Sequence, residues 1–306
     1  MKRLISILLC LMLLGPGLAQ ADNLARDYIP APPGTLAILM YYQHISSNSF
    51  YRQGRLVNSD LGLSGNIGLF RPVYWLEAGP LIIDPQFIIP FGNLDLKGGP
   101  SSSGLGDPIW FATFWFVHNH DTKTYVGFTP FFFTPLGTYQ REKGAINLGE
   151  NRWRFREEFA VVQGVEVLPG HNAYFEIQLG VDLFTKNTDF LNPGFATKPQ
   201  YGSLSQQPIF NVESHISYDL TKTVWASLDY YGHFFGKQKY EGISLGNELN
   251  NHRLGGTLAF SFAPGYQLLL QYSGDVAVEN GPKGQYFLAR FLWATDIGSL
   301  TGKKSK

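Results

Sequence analysis

The sequence predicts an all-β protein folded as a single antiparallel transmembrane β-barrel of about twelve strands, with short periplasmic turns and long extracellular loops. Three observations predict it. Segments of about ten residues, the length a tilted strand needs to cross a bilayer, recur along the chain with one wholly apolar face. The segments joining them alternate between long and short. The chain carries 24 Phe, 16 Tyr, 6 Trp and 34 Gly against only 16% charged residues, a composition suited to aromatic girdles and tight turns.

At the N-terminus, Lys2 and Arg3 precede the apolar run Leu4 to Leu14 and then Ala19-Gln20-Ala21, which reads as a secretory signal over residues 1–21. The chain's only cysteine, Cys10, lies inside that run behind Leu9 rather than a small residue, the wrong context for lipid attachment. Removing the signal takes two basic residues from 24 basic and 24 acidic ones, leaving a net charge of −2, which argues against a nucleic-acid partner. Beyond it no apolar run approaches the roughly 18 residues of a membrane helix. Residues 22–34 form an extended leader, because Pro30, Pro32 and Pro33 cannot donate to a sheet. It either crosses the periplasmic mouth as a small plug or lies outside as a solvated arm. Residues 35–295 are the barrel and 296–306 a polar tail.

The strands follow in order: 35–44, 58–71, 81–92, 107–117, 124–136, 153–168, 172–186, 208–219, 223–235, 251–262, 266–276 and 286–294. Long polar connections (45–57, 93–106, 137–152, 187–207, 236–250, 277–285) alternate with turns at 75–80, 118–123, 169–170, 220–222 and 263–265. The hairpin at 106–136 is the clearest unit: Trp110, Ala112, Phe114 and Phe116 share one parity, and Val126, Phe128 and Phe132 another. Ala173, Phe175, Ile177, Leu179, Val181 and Leu183 alternate with Tyr174, Glu176, Gln178, Asp182 and Lys186, so lipid covers one face and a polar lumen the other. The last strand ends Phe287, Ala289, Phe291, Trp293, an apolar face closing on an aromatic, as the barrel-assembly machinery of the outer membrane requires. Pro85, Pro90, Pro108, Pro130 and Pro135 in adjacent strands imply rim bulges or a lateral gap in the wall.

Within the lumen, Arg152, Arg154, Arg156 and Glu158 share a parity opposite Glu176, Gln178, Asp182 and Lys186. They form either a paired network filling the barrel or an Arg row that steers anionic or phenolate-like solutes. Phe111 and Trp115 point inward with Asp107 and Thr113, and Tyr125 and Phe131 join them, as an aromatic patch able to stack a planar ligand or simply to fill space. Asp60, Asp84, His215, Asp229, Tyr231 and Arg253 are further inward polar positions. No metal motif, phosphate loop or nucleophile elbow stands in a fitting context, so neither cofactor nor enzyme activity is expected. The one enzyme-like pattern, His44 and Ser46 on one strand face, lacks the Asn-Gly expected after the serine of an outer-membrane lipase.

Four stretches carry a resemblance. Arg26 to Thr35 (Arg-Asp-Tyr-Ile-Pro-Ala-Pro-Pro-Gly-Thr), Gly68 to Tyr74 (Gly-Leu-Phe-Arg-Pro-Val-Tyr), Pro90-Phe-Gly and Gly104 to Pro108 (Gly-Leu-Gly-Asp-Pro) together resemble the MetA-pathway phenol-degradation family of outer-membrane β-barrel proteins. The resemblance covers nearly the whole mature chain and implies a transporter-like channel of the Gram-negative outer membrane, with the bilayer and a small, apolar or aromatic solute as its partners. It transfers no catalytic residue. A plugged, purely structural barrel and a lipid hydrolase are the two rival expectations.

Overall fold

The computed structural model describes residues 22–297. Residues 1–21, read from sequence as a signal, and most of the segment read as a polar tail lie outside them. Twelve long strands form the wall: β1 (Thr35–Arg52), β2 (Leu63–Tyr74), β3 (Leu81–Leu96), β4 (Ile109–Asn119), β5 (Thr124–Phe133), β6 (Arg154–Leu168), β7 (His171–Phe184), β8 (Ile209–Asp219), β9 (Val224–Phe235), β10 (Leu249–Ala263), β11 (Tyr266–Ala277) and β12 (Gly281–Asp296). Each pairs antiparallel with its neighbours in sequence, and β12 returns to β1 from Thr35↔Asp296 to Tyr51↔Gly281. Closure leaves no strand edge unpaired, as hydrocarbon demands of a strand-built membrane protein.

Parity holds along the wall. Trp110 and Phe116 are 47% and 53% exposed while Trp115 between them is 1% exposed, so the apolar face of the hairpin looks outward and the alternate side chains look into the lumen. All twelve expected strands are present, and the largest differences lie at their outer ends. β1 runs on to Arg52 and turns at Gln53 and Gly54 into Arg55–Asn58, so the first long loop is mostly strand. β12 likewise begins at Gly281. Asp60 stands in the connection beyond, exposed and paired with Lys97 at 2.7 Å, and is not a lumen residue. Lys186 lies past the end of β7 and is exposed.

The proline-bearing strands keep a closed wall. β3 pairs with β4 without interruption from Ile82↔Trp115 to Ile88↔Ile109, passing Pro85 opposite Ala112. β4 and β5 hold one register across Pro130, with Phe111↔Phe131 and Phe114↔Phe128, and their bulge falls at Trp115 to Val117 instead of at a proline. Above Ile88, β3 pairs with Ser101–Leu105. The Pro90 and Pro108 carbonyls accept the amides of Gly106 (2.8 Å) and Thr134 (2.9 Å), which tie the wall together at this level. Gly92 has a steric reason: a Cβ there would collide with the Asn66 carbonyl oxygen of β2.

The extracellular end is lidded. Asn187–Leu191, Tyr201–Gln206, Gln238–Tyr240 and Ile243–Ser244 form a second small sheet. Their Leu204 and Tyr240 pack with Ile146 and Leu148 of the 134–153 connection onto Ile45, Leu63, Ile67 and Leu94 at the top of the barrel.

Candidate functional site

Residues 22–34 enter the barrel. Gly34 donates to the Trp75 carbonyl at the periplasmic rim (2.8 Å), and from there the chain turns up into the lumen. It is compact instead of extended. Asp27 N donates to Leu24 O (3.0 Å) and Ile29 N to Arg26 O (3.3 Å), with Arg26 at φ +69° joining the two turns. The cause is the inward carboxylates of β6, β7 and β8, which draw backbone N–H groups that a strand would have directed sideways.

Three glutamates seat this segment. Asn23 N donates to Glu213 Oε2 (2.8 Å) and Asn23 Nδ2 to Glu158 Oε1 (2.7 Å). Arg26 N donates to both oxygens of Glu176 (2.8 and 3.1 Å). Tyr28 Oη donates to Glu158 Oε1 (2.6 Å), with Thr129 Oγ1 at 2.9 Å. Arg26 ends on Asp219 (2.8 Å) between the rings of Tyr174 and Trp225. Asp27 is clamped: Arg71 Nη1 reaches its Oδ2 at 3.0 Å and Arg290 Nη1 its Oδ1 at 2.6 Å. Asp22 pairs with Arg253. Charges this deep are stable only when so paired.

The segment splits the lumen in two. Below it, open to the periplasmic mouth, is a cavity of about 610 Å³ bordered by Trp75, Asp84, Gln86, Tyr174, Trp225 and Arg290. Above it, beneath the lid, is a smaller space of about 100 Å³ whose one wall is Ile88, Ile109, Phe111, Phe131 and Phe133 and whose other is Arg154, Tyr231, Arg253 and Gln271. Asp27 and Arg71 border both. Near the lid two acids differ. Burial, together with the neighbouring Glu150, pushes the Asp107 carboxyl up to about 6, although it accepts the amides of Gly137 and Glu150. Burial opposes the charge of Glu150 as well, yet Arg152 and Arg154 hold its carboxyl below the usual range.

Of the residues singled out from sequence, Phe111, Trp115, Tyr125, Phe131, Arg154, Arg156, Glu158, Glu176 and Asp182 are all buried inside the barrel, but they fall into two groups. Phe111 and Phe131 stack at 4.5 Å on the upper cavity, with Arg154 beside them. Trp115 and Tyr125 sit lower: Trp115 Nε1 donates to Asp84 (2.8 Å) and its ring meets the edge of Tyr28 at 5.7 Å. The four aromatics therefore do not make one patch. Arg156 pairs with Asp182 at 2.7 Å across β6 and β7, as parity implied, whereas Glu158 and Glu176 turn to the leader. Sequence reasoning missed Asp27 and Arg71 as site residues, although Glu213 falls on the lumen parity of its strand as read; a lone arginine inside the apolar run Gly68 to Tyr74 was the available signal. His44 bonds Asn66 (3.0 Å) on the strand face away from the lumen, and the described residues record no contact with Ser46.

A closed twelve-stranded barrel with an apolar belt, a polar lumen and long loops on one side defines an outer-membrane β-barrel embedded in the lipid bilayer. The chain belongs to the family described as "Putative MetA-pathway of phenol degradation", whose model matches residues 46–291. Among solved structures it is similar to the COG4313 outer membrane channel from Pseudomonas putida F1, at 25% identity and TM-score 0.81 over 90% of this chain and 100% of that one. It shares its fold with the translocator domain of the autotransporter NalP from Neisseria meningitidis (10% identity, TM-score 0.50, 87% of this chain and 91% of that chain). No curated protein matched in the sequence comparison.

Proposed function

We propose that this chain is an outer-membrane channel for small aromatic molecules, closed at rest by its own N-terminal segment and passing solute by facilitated diffusion. One observation carries the reading: two cavities lie inside a closed barrel with residues 22–29 and Arg71 between them, and the upper one has a wall of three phenylalanines. A structural strut has no use for an aromatic chamber under a lid. The similar channel from Pseudomonas putida supports transport over hydrolysis. Phe111, Phe131 and Arg154 are the solute contacts in this reading, and Trp115, Tyr125, Arg156, Glu158, Glu176 and Asp182 position the segment that must move. Removal of residues 1–21 as a signal and delivery of β12 to the barrel-assembly machinery complete the export route.

The number of polar bonds holding the segment favours one rival, a permanently plugged barrel. Uptake into proteoliposomes of phenol, benzoate and a sugar of similar size separates the two. The channel reading expects both aromatics to enter faster than the sugar; equal rates would sink the aromatic preference, and no entry at all would leave the plugged barrel.

A further inference from the structure

The upper cavity holds two guanidinium groups at the two ends of one row of rings. Arg71 lies over Phe111 at 5.4 Å, Phe111 stacks on Phe131 at 4.5 Å, Phe131 meets Phe133 at 6.4 Å, and Arg154 lies over Phe133 at 4.0 Å. Their surroundings differ. Arg71 is engaged through Nε by Gln86 (2.7 Å) and through Nη1 by Asp27 and Tyr41 (3.2 Å). Arg154, 2% exposed, has only a 3.4 Å bond from Nη1 to Glu150 and stands 3.6 Å from Asp182, and its Nε and Nη2 have no hydrogen-bond acceptor among the described residues. A buried guanidinium with two unused donors is destabilising unless something accepts from it.

The carboxylates bordering the same cavity are already committed. Asp22 is on Arg253, Asp27 on Arg71 and Arg290, Asp107 on the amides of Gly137 and Glu150, and Glu150 chiefly on Arg152 at 2.7 Å. The missing partner of Arg154 is therefore not supplied by the wall. Its planar fork suits a carboxylate, which accepts two parallel N–H bonds. The space of about 100 Å³ is smaller than the roughly 150 Å³ apolar cavity that holds benzene, so it has room for one ring at most.

We propose that the upper cavity binds the anion of a single-ring aromatic carboxylic acid, its carboxylate on Arg154 and its ring against Phe131 and Phe133. At the other end of the row Arg71 already holds a carboxylate, that of Asp27, and the same guanidinium borders the lower cavity. A bound anion moving along the rings meets Arg71 and exchanges with Asp27 there, which frees the segment below. This specifies the solute class of the channel reading and rests on it.

The test uses the full processed chain in detergent, titrated calorimetrically with benzoate, its neutral isostere benzamide, and acetate. Benzoate binds saturably, benzamide at least tenfold more weakly, and acetate without saturation. Arg154→Gln lowers benzoate affinity about ten- to hundredfold, the range for losing a charge-assisted bond, and leaves benzamide unchanged; Arg154→Lys, which keeps the charge but not the fork, falls between. Heat-modifiable gel migration verifies that each variant is a folded barrel, and a variant that fails it is replaced by Phe131→Leu, for which benzoate and benzamide weaken together. Equal binding of benzoate and benzamide, or benzoate binding unaltered in folded Arg154→Gln, overturns the proposal. Saturable benzoate binding without flux in liposomes upholds the site and sinks the channel; flux of phenol without benzoate binding does the reverse.

Discussion

Replacing Asp27 by Asn keeps the shape of the clamp and removes its charge. The carboxylate, 8% exposed, sits 2.6 Å from Arg290 and 3.0 Å from Arg71, and both cations depend on it. Removing one partner of a buried ion pair costs about 3–5 kcal/mol. The amide oxygen of Asn still accepts from one arginine, so the lower end applies. At about 1.4 kcal/mol per decade, 3 kcal/mol shifts the balance between seated and unseated leader roughly a hundredfold. Glu158, Glu176 and Glu213 still bind residues 23–28, so the variant flickers open instead of standing open. In planar bilayers the wild-type barrel is expected to open rarely, Asp27→Asn about a hundred times more often at the same unitary current, and a chain lacking residues 22–30 continuously. Heat-modifiable migration establishes that the barrel itself is intact. If Asp27→Asn and the deletion both record like wild type, the leader is not the barrier, and the lid of residues 134–153 and its neighbours would be.

Two more outcomes are expected from the same geometry. Tyr28→Phe removes a 2.6 Å bond to the buried Glu158 at a cost of about 1.5–3 kcal/mol; trypsin added from the periplasmic side should then cut after Arg26 at least tenfold faster, and unaltered cleavage would count against the seat described. Asp107 titrates near 6, above its unfolded value of 3.8, so its contribution to docking the 134–153 connection is complete below about pH 4 and is lost as pH rises through about 6. Hydrogen exchange at the Gly137 and Glu150 amides should be slower at pH 5 than at pH 7.5 after correction for the intrinsic pH dependence of exchange, and Asp107→Asn should abolish the difference.

The wall was legible because lipid imposes a period of two on every strand, and β7 and β10 betray it residue by residue. Bilayer and lumen write opposite chemistry onto alternate positions, so Phe175 and Glu176 name their own faces. The outer strand ends were less legible: β1 continues eight residues past His44 through Ser46, Ser47, Asn48 and Ser49, where polar residues on both faces resemble a loop. The site was half legible. Parity placed Arg156 against Asp182 but gave no reason for Glu158 and Glu176 to look elsewhere: Glu176 takes the backbone amide of Arg26, which carries no side-chain signature, and Glu158 takes Asn23 Nδ2 and Tyr28 Oη from a leader that strand parity does not place. The same holds for Trp115: its inward parity was correct, yet only the position of Tyr28 makes it a support for the leader instead of a wall of the cavity.

Backbone amides as partners also bear on how such a gate moves. Because Glu176 and Glu213 grip peptide N–H groups, their hold depends on the path of the leader more than on its side chains, and the left-handed Arg26 that aims those amides stores about 1–3 kcal/mol of strain. Releasing Asp27 lets that strain relax, and the turn at 24–29 can then unwind from the top while Gly34 stays fixed to Trp75. An unwound segment carries Asp27 away from Arg71 toward the periplasmic mouth. On the proposed reading Arg71 then faces both cavities as the solute reaches it, and passage is selected by which molecule can replace a carboxylate there as well as by the size of the upper cavity.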